Sequence, residues 1–181
     1  MNVQEKPTEA NFKLKSIKSI KRGKLTVNAY KIVDSKEIPQ SGEYPATPHP
    51  DLFQALDDLL PYVVNHFGIN NYIKLAESKE FGANTAQVQM IKDETQKIIE
   101  KTRITGISLN EDGQGVVITS VINGESRNTK KLHFTNKEYG EELQEACELV
   151  KNETYQYMYD DKEAQLKIEE KKTDQIDLID A

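Results

Sequence analysis

Between residues 11 and 33 the chain carries Lys13, Lys15, Lys18, Lys21, Arg22, Lys24 and Lys31 and no Asp or Glu, although its formal net charge is −6. Cations at that density suit a phosphate backbone, and Tyr30 among them offers a ring on which a base can stack. The chemistry implied is capture of single-stranded nucleic acid. A second account needs no ligand: lysines along a strand edge discourage pairing with another sheet. Both accounts stand on the residues alone.

The opposite charge gathers at the other end. Residues 141–181 hold thirteen Asp or Glu against five Lys, so the acidity belongs to the C-terminal region. An acidic segment on a protein with a basic patch can compete with nucleic acid, recruit a partner or merely solubilise. Within it, Gln165, Leu166 and Ile168 match the start of the bacterial sliding-clamp pattern Gln-Leu-x-Leu-Phe, but Glu169 stands where the aromatic anchor belongs. Ile176, Leu178 and Ile179, interleaved with acids, resemble the tails of single-stranded-DNA-binding proteins without their terminal aromatic residue.

Bond-making chemistry finds little to work with. His49, His66, His133 and Cys147 give no metal-ligand spacing, and "DGQGVVIT" leads into a β-branched strand where a dinucleotide fingerprint needs a helix. Asp57 and Asp58 are adjacent, so they diverge on a helix, and Cys147 sits in the helical pattern "EELQEACELVK" as an ordinary core residue. We expect no enzyme, no cofactor and no metal. A lone cysteine fits a reducing cytoplasm. Residues 1–10 have neither an apolar run nor a cleavage pattern, so neither a signal peptide nor a membrane span is expected.

These residues need elements to hold them. Phe12 and Leu14 alternate with Lys13 and Lys15, then Ile17 and Ile20 break the period, which predicts a strand with a bulge. "KRGK" supplies a turn at Gly23, and "LTVNAYKIV" a second strand with Leu25, Val27 and Ala29 on one face and Thr26, Asn28, Tyr30 and Ile32 on the other. Residues 34–50 are rich in proline and read as an extended loop. A helix follows from Pro50 behind a cap at His49 or Thr47, and Pro61 kinks it or splits it in two. Spacing through Val88, Ile91, Ile98 and Ile99 predicts a helix over about 85–100. "RITGISL", "VVITSVI" and "NTKKLHF", with a turn at Asn123-Gly124, read as three antiparallel strands. A long last helix runs through "KEYGEELQEACELVKNETYQYMY", capped by Thr135 or Asn136, with Leu143, Cys147, Val150 and Tyr157 inward.

The expected fold is α+β: an antiparallel sheet of about five strands, built from a β-hairpin, two helices, a three-stranded meander and a long C-terminal helix, with helices on one face and an acidic tail. The expected divisions are a flexible N-terminus (1–10), one domain (11–160) and the acidic tail (161–181).

The order of these features, with Pro48, Pro50, Asp51, Leu52, Leu60, Pro61, Tyr62 and Val63, resembles small uncharacterised α+β proteins of bacteriophages and prophages encoded near replication and recombination genes. The likeness runs over residues 12–168 and brings no catalytic residues. It implies a non-enzymatic accessory protein of DNA metabolism in the bacterial host cytoplasm. Its partner would be single-stranded nucleic acid or a replication or recombination protein, with homo-oligomerisation open. The alternative is a host-takeover or anti-defence protein that inhibits a host protein or sequesters a signalling nucleotide.

Overall fold

The computed structural model describes residues 7–20, 24–44 and 48–159. The turn at Gly23, the cap at Thr47 and the C-terminal segment therefore lie outside the described residues. The fold is α+β with antiparallel strand pairing, and among the described residues eight strands are formed where about five were expected. The described residues divide into two compact units, one from residues 7–55 together with 145–159 and one from residues 56–144.

In the first unit a 3-10 turn at Glu9–Asn11 leads into β1 (Phe12–Ile20), which pairs antiparallel with β2 (Lys24–Val33). The register steps between Leu14 and Ser16, so Lys15 is an extra residue opposite no partner. That bulge explains the broken period. It returns Ile17 to the face of Phe12 and Leu14, all three buried, against Leu25, Val27 and Ala29 of β2. Residues 34–50 are not a plain loop, as their prolines suggested. Asp34 and Ser35 take positive φ of 49° and 62°, the conformation of a tight hairpin turn, and send the chain back as β3 (Lys36–Pro39). Then β4 (Gly42–Tyr44) pairs with the first half of β2. Pro39 closes β3, where a missing N–H is tolerated. β2 consequently has neighbours along both sides, so edge protection does not account for its lysines.

The last helix begins in the second unit and from Glu145 onward belongs to this one. α5 (Gly140–Tyr159) starts four residues after Asn136, whose Oδ1 instead accepts from Glu138 N in a turn. Leu143, Cys147, Val150 and Tyr157 are buried, as the spacing predicted, and so are Thr154 and Tyr155. Tyr155 packs edge-on to Phe12 at 5.5 Å between ring centres and donates to the Pro7 carbonyl at 2.8 Å. Tyr157 meets Tyr44 at 5.9 Å, and Tyr159 meets Phe12 at 6.1 Å while its hydroxyl hydrogen-bonds Gln40 Oε1 at 3.2 Å. Residues 7–10 belong to the N-terminal segment 1–10 expected to be loose, and Pro7 is the residue that accepts the Tyr155 bond.

In the second unit, helix formation after Pro50 stops at Asp57 and resumes at Leu60: α1 (Pro50–Asp57), which begins in the first unit, and α2 (Leu60–His66) are the two pieces that Pro61 foreshadows. The α1 entry uses His49, whose Nδ1 accepts from Asp51 N at 3.3 Å. α3 (Asn71–Glu77) and α4 (Thr85–Lys101) follow. Asn84 and Gln87 cap α4 reciprocally, side chain to backbone, at 2.9 and 3.0 Å.

β5 (Arg103–Leu109) pairs with β6 (Gly115–Ile122) with a second bulge, at Thr105. The Asn123-Gly124 turn is present, both residues at positive φ. The strand expected over "NTKKLHF" is instead two pieces, β7 (Glu125–Asn128) and β8 (Leu132–His133), both paired to β6. Between them the buried Thr129 exchanges bonds with Ile118, its N–H to the Ile118 carbonyl and the Ile118 N–H to its Oγ1, each 3.0 Å. Among the described residues, no helix is long and apolar enough to cross a membrane.

Candidate nucleic-acid interface

Strand alternation puts Lys13, Ser16 and Lys18 of β1 on the face away from Phe12, with Thr26, Asn28, Tyr30 and Ile32 of β2. Lys13 lies directly opposite Tyr30, and the bulge presses Lys15 toward the same ring, its Nζ 5.9 Å from the ring centre. That distance is within cation–π range. Asn28 Nδ2 donates to Ser16 Oγ at 2.9 Å and fixes the floor between Lys15 and Lys18. The centre of the site is therefore a half-exposed tyrosine with lysines beside and above it. Lys18 is exposed one step further along β1.

Lys13 is already engaged: its Nζ reaches over β2 to Glu37 Oε1 of β3 at 2.6 Å. Both side chains are about half exposed, so the pair contributes roughly 0–1 kcal/mol and yields readily to a phosphate. No residue spacing announces Glu37 as this partner, because its position depends on the Asp34–Ser35 turn.

Lys31 does not join the group. It pairs with Phe12 and Ile38, so its parity places it on the opposite face, next to the aromatic cluster. Lys21 and Arg22 lie outside the described residues, as do Gln165, Leu166, Ile168, Ile176, Leu178 and Ile179; Lys24 is placed as backbone only, at the start of β2. The aromatic cluster itself is a feature sequence reasoning underused, although tyrosines at 155, 157 and 159 in one helix were its signal. Burial, then the neighbouring Tyr44 and Tyr155, push the Tyr159 hydroxyl up to about 12, so it stays protonated and can donate to Gln40.

Cys147, His66, Asp57 and Asp58 are the other residues whose types could carry chemistry. Cys147 is buried, and burial with Glu148 beside it pushes the thiol up to about 12, which keeps it a thiol at neutral pH. His66 Nε2 accepts the Lys130 N–H at 3.1 Å, and desolvation with the Lys130 charge holds its pKa below the usual range. Beside it Tyr62, Asn65, Leu132 and Tyr139 line a cavity of about 60 Å³, room for water and far too small for a nucleotide. Asp57 and Asp58 are both exposed; burial and the Asp58 charge raise Asp57, against Arg103. Among the described residues no group of three His, Cys, Asp or Glu side chains could hold a metal ion.

No protein family, curated protein or solved structure matches the chain.

Proposed function

We propose that this protein is a non-enzymatic accessory factor of DNA metabolism that binds single-stranded nucleic acid on the outer face of β1 and β2. Lys13, Lys15 and Lys18, continued by Lys21, Arg22 and Lys24, contact successive phosphates, and Tyr30 stacks a base. The observation that carries this reading is Tyr30 set between Lys13 and Lys15, which joins a π surface to cations at one point. The acidic residues 160–181 regulate the site. Their root, Tyr159, lies against Phe12, the residue before Lys13. A chain of that length spans up to about 70 Å extended, against about 30 Å for the nine residues of β1. Every lysine of the strand is within its reach.

The test is fluorescence anisotropy of a labelled single-stranded oligonucleotide at two salt concentrations, with the full chain and with residues 1–159. Binding that weakens steeply with salt and tightens on truncation supports both parts of the reading. Binding indifferent to salt, or none in either form, overturns it.

A further inference from the structure

We propose that the helical hairpin of α3 and α4 is a self-association arm, which pairs with the same hairpin of a second copy of the chain. This inference is independent of the nucleic-acid reading. The hairpin is well formed: the reciprocal Asn84/Gln87 cap starts α4, Gly82 turns the chain at φ +64°, and Lys92 Nζ binds Glu77 Oε1 across the two helices at 2.6 Å. Yet from residue 71 to residue 94 only Ala76 is buried. Tyr72 is 62% exposed, Leu75 54%, Phe81 53% and Met90 62%, while the apolar stripe Ile73, Val88 and Ile91 is only partly covered. Short helices owe their stability to packing of an apolar face, and α3 has only seven residues. A hairpin so sparsely covered gains most from a partner.

Charge selects what that partner is. Over residues 71–101, Lys74, Lys79, Lys92, Lys97 and Lys101 balance Glu77, Glu80, Asp93, Glu94 and Glu100, within a chain of net −6. A neutral arm offers nothing to a phosphate backbone and no single sign to a strongly charged protein. A two-fold interface needs a surface that can meet itself, and mixed signs in equal number do so without net repulsion. The area is of the right order. Four large side chains exposed by about half leave roughly 400 Å² per copy, and the partly covered stripe brings this toward the ~800 Å² per partner of a stable dimer. α4 alone, at 17 residues, is about 25 Å long. Two arms together form a four-helix arrangement with Val88 and Ile91 inside.

The test is sedimentation equilibrium of the full chain at micromolar concentration. The expected mass is twice 20.6 kDa. The double substitution Leu75→Glu/Met90→Glu removes four anchors, two from each copy, and should weaken the dimer by about ten-thousandfold, roughly tenfold for each. Because both side chains are over half exposed in one copy, the far-UV circular dichroism should be retained, and Phe53→Glu, an exposed apolar position outside the arm, should leave the dimer intact. A wild-type chain that sediments at 20.6 kDa throughout overturns the proposal. So does a double variant that remains folded and as dimeric as the wild type, or a dimer that dissociates with Phe53→Glu instead.

Discussion

The outer face of β1 and β2 makes a prediction in which slope and intercept separate. In a plot of log affinity against log salt for a single strand, each phosphate neutralised contributes about −0.7 to the slope. Replacing Lys13, Lys15 and Lys18 by Gln removes three such contacts, so the slope should flatten by about 2. Between about 50 and 200 mM salt the wild type should then lose roughly 20-fold more affinity than the triple variant. Tyr30→Ala should act differently: one lost stack costs about 1–3 kcal/mol, or roughly 5- to 150-fold, with the slope unchanged. Glu37→Gln frees Lys13 from its 2.6 Å partner and should tighten binding by up to about fivefold. Lys31→Gln is the control, because its parity sets it on the other face. Anisotropy titrations with one labelled oligonucleotide across that salt range decide the matter. If Lys31→Gln flattens the slope as much as a lysine of β1, or Tyr30→Ala leaves affinity unchanged, the face has been misassigned.

Three further outcomes follow from the fold. A methyl group on Gly140 would collide with the Phe134 carbonyl, so Gly140→Ala should lower unfolding free energy by about 1–3 kcal/mol, read as a lower urea midpoint with similar slope. His66 has a folded pKa below its ordinary 6.5, so the unfolded chain takes up the proton first: its contribution is full above about pH 6.5 and is lost as pH falls, and His66→Gln should flatten thermal stability between pH 7 and 5. Cys147, with its thiol pushed up to about 12, should resist a disulfide reagent at pH 8 in the native protein and react at the rate of unfolding.

How much of this was legible in the sequence depends on how local the cause was. The Lys15 bulge could be read because Ile17 falls out of phase with Leu14, and the Asn123-Gly124 turn and the break before Pro61 each rest on one or two residues of special backbone preference. The Thr105 bulge carries a comparable sign, Gly106 inside a strand. β3 and β4 were hidden by proline and glycine, and by a turn in which Asp34 and Ser35 adopt positive φ without a glycine to announce it. The third meander strand was read too long because Lys130 and Lys131 continue its composition while Thr129 diverts its hydrogen bonds. At the site, period-two parity separates Lys13 and Tyr30 from the buried positions and sets Lys31 apart, while Lys18 joins Lys13 only through the bulge at Lys15. Glu37 could not be read at all, since a pair separated by a turn of unknown type has no fixed spacing.

The Lys15 bulge also gives that one residue an unusual standing in the gene. Without it, Phe12, Lys13, Leu14, Ser16, Ile17 and Lys18 form an uninterrupted in-and-out alternation opposite Lys31, Tyr30, Ala29, Asn28, Val27 and Thr26. The strand that remains is the ordinary one, so Lys15 is structurally an extra residue in a ladder complete without it. A one-codon deletion there should preserve the core and the ladder while withdrawing the cation above Tyr30, a change open to a lineage in a single step and reversible by the next insertion.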